Sequence, residues 1–87
     1  MIEKAVLENQ PQVTVYSKQG CGGCVFTKSF LDKHGIEYRE IRVDQQPEVV
    51  EEIKLNGFQS LPVVTVGGFD NAWSGYNPER LQGLLEE

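Results

Sequence analysis

The chain has 87 residues, with 8 Lys+Arg against 13 Asp+Glu and a formal net charge of −5. That length suits a single domain with a modest core, residues 1–87 with 1–12 as an N-terminal extension, and the acidic balance argues against a basic nucleic-acid-binding face. No apolar stretch approaches the roughly 20 residues needed to cross a bilayer, and the N-terminus lacks the basic start and long apolar core of a signal peptide, so the expected setting is the cytoplasm.

Ala5, Val6 and Leu7 suit a short helical turn that Pro11 stops. Val13 to Tyr16 is a β-branched and aromatic run, hence a strand, and Ser17 to Gly20 form a loop. Next comes Cys21-Gly22-Gly23-Cys24, which holds both cysteines of the chain. From there through His34 the spacing is helical. Phe26 and Phe30 stand at i, i+4, and Cys24, Thr27 and Leu31 at i, i+3, i+7, so both sets predict a buried stripe. Lys33-His34-Gly35 is a helix stop. Tyr38 to Val43 read as a second strand. Pro47 suits the first turn of a second helix with Val49, Val50 and Ile53 on its apolar face, ended by Asn56-Gly57.

Pro62 to Val66 form a third strand whose nearly continuous apolar run places it inside a sheet. Gly67-Gly68 reads as a two-residue hairpin turn leading to an antiparallel fourth strand, Phe69 to Trp73. Asn77-Pro78-Glu79 opens the last helix with a cap, a proline at the first position and an acid in the first turn, and Leu81, Leu84 and Leu85 are its buried face. The order β-α-β-α-β-β-α predicts an α/β domain. Its four-stranded mixed sheet is parallel where the βαβ half crosses over, antiparallel at the hairpin, and flanked by three helices.

The cysteines fall at a strand-to-helix corner. A thiolate is the reactive form of cysteine, and the positive end of a helix stabilises it. Cys21, at the helix N-terminus, is therefore the expected nucleophile. Cys24, inside the first turn and more buried, is the expected resolving thiol. Gly22 and Gly23 leave the sulfurs uncrowded and the backbone N–H groups of the turn accessible. Lys18 is either a source of positive potential near Cys21 or an ordinary solvated lysine. A structural zinc site needs four ligands, and with His34 the only histidine no second pair exists, so no metal site is expected. An iron–sulfur cluster shared across a dimer has nothing behind it beyond the two thiols. Leu61-Pro62 opens a buried strand with proline, which is allowed at a first residue. Beside a CxxC, a cis bond there would present the Leu61 backbone to an extended substrate segment. Trp73 either buries area at the end of the fourth strand or joins an apolar docking patch around Cys21.

From Val13 to Leu85 the residues resemble the NrdH-redoxin family, glutaredoxin-like electron donors of class Ib ribonucleotide reductase. The likeness runs through Val15-Tyr16-Ser17-Lys18 into the CxxC, then Thr27-Lys28, Leu31-Asp32, Gly35-Ile36-Glu37-Tyr38, Pro47-Glu48, Gly57-Phe58 and Pro62-Val63-Val64. Its most specific block is Trp73-Ser74-Gly75-Tyr76 followed by x-Pro-acid. The resemblance implies a thioredoxin fold, a cis Pro62 and a nucleophilic Cys21. It also implies a redox-active Cys21–Cys24 disulfide with no bound cofactor. Electrons would come from NADPH by way of thioredoxin reductase, and the partner would be ribonucleotide reductase or another disulfide-bearing protein, with the chain acting as a monomer. Partner contacts are expected from Lys18, Gly22, Gly23, Leu61, Pro62, Trp73, Ser74, Gly75 and Tyr76. Glutathione would bind poorly, because Ser74-Gly75-Tyr76-Asn77 stands where glutaredoxins place Gly-Gly and acidic residues. Glutathione-dependent catalysis remains the alternative. Gly22-Gly23 and Asn77 depart from the bulkier pair and the arginine usual at those places, which bears on reduction potential and reductase recognition.

Overall fold

Val13 and Val15 alternate with Tyr16 along the first strand, and that period of two sends them to opposite sides of a sheet. The computed structural model describes residues 12–85. The expected turn at Ala5-Val6-Leu7 lies outside the described residues. The elements are β1 (Val13–Ser17), α1 (Gly22–Lys33), β2 (Tyr38–Arg42), α2 (Glu48–Leu55), β3 (Val63–Val66), β4 (Ala72–Ser74) and α3 (Pro78–Gly83). The sheet order is β2-β1-β3-β4, with β1 parallel to β2 and the other pairs antiparallel. The sheet is therefore mixed and β3 is interior, as its apolar run predicts.

Two clusters cover the two faces. On one, Val13, Val15, Val64 and Trp73 pack against Leu31 of α1 and Leu81 of α3. On the other, Tyr16, Val43 and Val63 pack against Ile53 of α2. This two-sided burial fixes where β1 ends and α1 begins, and that junction carries the cysteines. A polar clasp ties the same corner from outside the helix. Buried Ser17 donates from Oγ to Glu40 Oε2 at 2.7 Å, and Lys28 of α1 meets the same oxygen at 2.7 Å. These two contacts hold the Glu40 carboxyl below its usual range, Lys28 contributing more than Ser17.

Three expectations need correction. The hairpin between β3 and β4 is longer than two residues: the Val66 N–H donates to the Asn71 carbonyl at 2.9 Å and β4 begins at Ala72. Phe69 leaves the strand because its ring stacks on Tyr16, centroids 5.6 Å apart, and faces Phe58. Burial of an aromatic ring there outweighs extension of the ladder by three residues. Leu85 is exposed, since α3 ends at Gly83 and only Leu81 reaches the core fully, with Leu84 packed at its margin. Phe26 is also outside the core, 60% exposed. At about 100° per residue it lies on the far side of α1 from Cys24, Thr27 and Leu31, which are the buried residues of that helix.

Candidate functional site

Cys21 is the N-cap of α1, with extended backbone (φ −98°, ψ 108°). An N-cap side chain normally offers oxygen to the free N–H groups of the first turn. Here sulfur takes that place: the Cys24 N–H points at Cys21 Sγ at 3.1 Å, and the Val25 N–H donates to the Cys21 carbonyl at 3.2 Å. Cys21 and Cys24 are joined as a disulfide, their Cα atoms 5.2 Å apart. The two sulfurs differ in access. Cys21 is partly exposed, whereas Cys24 retains 1% of its surface.

Pro62, fully buried and following a cis Leu61–Pro62 bond, lies directly against this turn. A Cβ added to Gly23 would stand 3.1 Å from Pro62 Cδ and 3.6 Å from Tyr76 Cβ, whereas one added to Gly22 would meet nothing within 4 Å. Gly23 thus lets the first turn of α1 seat between Pro62 and Tyr76. The Gly75 N–H donates to the Pro62 carbonyl at 2.7 Å, and Gly75 turns the chain at φ +84°, a conformation that favours glycine. This bond brings the block after β4 onto the CxxC. Tyr76 then reaches Phe26, ring centroids 5.6 Å apart, and both rings remain exposed beside the disulfide.

The structure therefore gathers Cys21, Gly23, Cys24, Pro62, Gly75 and Tyr76 into one place, with Gly22 open to solvent beside them. Ser74 is paired to Val63 in the sheet. Trp73 is not part of a surface patch. It is 6% exposed inside the core cluster, with the Arg80 guanidinium 4.8 Å from its ring centre. Lys18 and Leu61 line an open cleft of about 490 Å³ together with Val50, Ile53, Lys54 and Phe58. Three features escape a reading of the sequence: the Phe26–Tyr76 pair, the Ser17–Glu40–Lys28 clasp and the Thr27 hydroxyl. The first had a signal, because Cys24, Thr27 and Leu31 already fill the inward stripe and leave Phe26 facing out. Among the described residues, no group of three or more His, Cys, Asp or Glu could hold a metal ion, and no helix is long and apolar enough to cross a membrane.

This fold and this corner define a glutaredoxin-like thiol–disulfide protein, and residues 13–69 match the family model described as glutaredoxin. Among curated relatives, the glutaredoxin-like protein NrdH of Lactococcus lactis is 44% identical over 83% of this chain and 97% of its own length. The NrdH protein of Escherichia coli is 36% identical over 84% of this chain and 88% of its own. The solved structure of Escherichia coli NrdH-redoxin superposes with a TM-score of 0.77, covering 83% of this chain and 92% of that one. The chain belongs to the glutaredoxin-like NrdH family, with a thioredoxin fold and a CxxC disulfide.

Proposed function

We propose that this protein is a dithiol donor to protein disulfides, with Cys21 attacking and Cys24 resolving. The reading is carried by the asymmetry between an accessible Cys21, whose sulfur accepts the Cys24 N–H, and a nearly inaccessible Cys24. A sulfur at a helix N-cap facing a backbone N–H is favoured as thiolate. In the reduced protein the Cys21 thiolate attacks one sulfur of a target disulfide, and the other target sulfur leaves as a thiolate and takes a proton. Cys24 then gives up its proton and attacks Cys21 Sγ. That step forms the Cys21–Cys24 disulfide and releases the second target thiol, so two electrons have passed to the target.

The target contacts fall to Gly22, Gly23, the Leu61 backbone, Pro62, Gly75 and Tyr76, with Lys18 and Ser74 flanking. Reduction of the resulting disulfide falls to thioredoxin reductase, drawing on NADPH, and the target is class Ib ribonucleotide reductase or another cytoplasmic disulfide-bearing protein. Family membership supports this reading, as does the thioredoxin-like activity profile described for Escherichia coli NrdH-redoxin.

The decisive test couples NADPH oxidation to insulin reduction in the presence of thioredoxin reductase. Wild type should turn over and Cys21→Ser should not, while Cys24→Ser should accumulate a mixed disulfide with the target. Turnover supported by glutathione and glutathione reductase, with Cys24 dispensable, would replace this reading with that of a glutathione-dependent enzyme.

A further inference from the structure

Thr27 stands three residues after Cys24 on the inward face of α1. Its side chain is completely buried, and among the described residues its Oγ1 has no hydrogen-bond partner. A buried hydroxyl left unpaired is unfavourable, and threonine in a helix commonly avoids this by bonding a carbonyl one turn back. A valine has nearly the same shape and would remove the penalty at once. The hydroxyl is unsatisfied in the disulfide form, the state this structure represents.

Residues three apart on a helix lie on one face, and helical side chains lean towards the N-terminus. Thr27 therefore overlies the turn that carries Cys24, itself 1% exposed. In the disulfide, Cys24 Sγ is bonded to Cys21 and is a weak acceptor. When a dithiol reductant delivers two electrons, the S–S bond breaks, the reductant closes to its own disulfide, and Cys24 Sγ is released as thiol or thiolate. A thiolate accepts a hydrogen bond strongly, and a thiol both donates and accepts. No water-filled surface competes for it at that depth.

We infer that Thr27 is a positioning residue for the resolving sulfur: its hydroxyl pairs with Cys24 Sγ only after reduction, and so favours the dithiol over the disulfide. The inference deepens the proposed function and rests on Cys21–Cys24 being a reversible redox couple. Its consequence has a definite sign. Replacing the hydroxyl by a methyl group relieves the oxidised form and deprives the reduced one. Thr27→Val should therefore make the protein a stronger reductant.

The test equilibrates wild type, Thr27→Val and Thr27→Ser with dithiothreitol over a range of dithiol-to-disulfide ratios, and reads the fraction of Cys21–Cys24 disulfide. Thr27→Val should lower the equilibrium constant for reduction about tenfold, which is about 30 mV towards more negative potential for a two-electron couple. Thr27→Ser, which keeps the hydroxyl, should stay near wild type. Thermal melts close the same cycle: Thr27→Val should raise the melting temperature of the oxidised protein more than that of the reduced protein. Equal shifts in both states with no change in potential would overturn the inference, because the hydroxyl would then be equally satisfied, or equally orphaned, in both. A shift towards a more positive potential would overturn it as well. Failure of wild type to exchange reversibly with dithiothreitol would instead overturn the proposed function on which the inference rests.

Discussion

Gly22 and Gly23 are adjacent in sequence and both lie in the first turn of α1, yet alanine should affect them in opposite directions. At Gly22 the new methyl meets nothing within 4 Å. Alanine also has less conformational freedom to lose on folding, so Gly22→Ala should stabilise by about 0.5 kcal/mol. At Gly23 the methyl would stand 3.1 Å from Pro62 Cδ, inside the roughly 3.5–4.0 Å preferred between carbons. Pro62 is a rigid ring, fully buried beside Val63 and Val64, and cannot swing aside. Overpacking of this kind costs about 1–3 kcal/mol, while the alanine preference returns at most about 1. Gly23→Ala should therefore destabilise by about 1 kcal/mol, leaving the variants about 1.5 kcal/mol apart. For a domain of this size the melting temperatures should differ by about 6–12 °C, readable by circular dichroism on the oxidised proteins. If Gly23→Ala melted at or above Gly22→Ala, Pro62 would not be clamped against the CxxC turn, and the packing of Pro62, Gly23 and Tyr76 described above would be wrong.

Glu40 has a folded-state pKa lowered first by Lys28 and then by Ser17, so its contribution is present at neutral pH and is lost as pH falls below the ordinary glutamate value of 4.5. Because the pair is partly exposed, that contribution is about 1 kcal/mol at most. Glu40→Gln should lose it at pH 7 and unfold with a shallower acid slope in urea titrations; an unchanged slope would show that the clasp contributes nothing. Phe26→Ala and Tyr76→Ala remove exposed rings, so unfolding free energy should move by only about 0.5 kcal/mol. Both should nevertheless raise KM for a protein disulfide several-fold without slowing reaction with dithiothreitol, and equal effects on both substrates would remove their docking role. Asn77 accepts the Arg80 N–H at 3.2 Å as the cap of α3; Asn77→Ala should lower stability by about 1 kcal/mol, and Asn77→Asp should retain it.

The sequence made the element order and the core strands legible because those depend on local pattern. Val13 to Tyr16 and Pro62 to Val66 are too β-branched to read otherwise, and Cys24, Thr27 and Leu31 mark one helical face. The cysteine pair at the helix start was equally plain. Leu85 aside, the misreadings share one cause: each turned on a contact between residues distant in sequence. Phe69 left its strand for Tyr16 and Phe58, and nothing near Gly67-Gly68 encodes that. Phe26 and Phe30 share a helical spacing, yet only Phe30 packs against the core, because periodicity alone does not say which of two faces meets the sheet. From the sequence Trp73 is expected to be partly available for docking, whereas its place opposite Val64 in the β3–β4 register puts its ring into the core beneath Arg80.

Several local rules fail at one place in this chain. Two glycines occupy a helix start that alanine would favour, Phe26 and Tyr76 expose rings that a core would bury, and Thr27 buries a hydroxyl without a partner. All lie on the first two turns of α1 or on the loop that Gly75 ties to Pro62. Any one of these could be an accident of a small fold. Their convergence on a single disulfide has a common physical account: a surface that must approach another protein's sulfur needs an uncrowded backbone, apolar contact area and a redox couple whose two states differ in bonding. Sequences sacrifice local consistency chiefly at functional sites. On that ground, the residues that break local rules are the ones that should matter most to exchange, and Thr27→Val, which restores local consistency, should alter the chemistry more than it improves the fold.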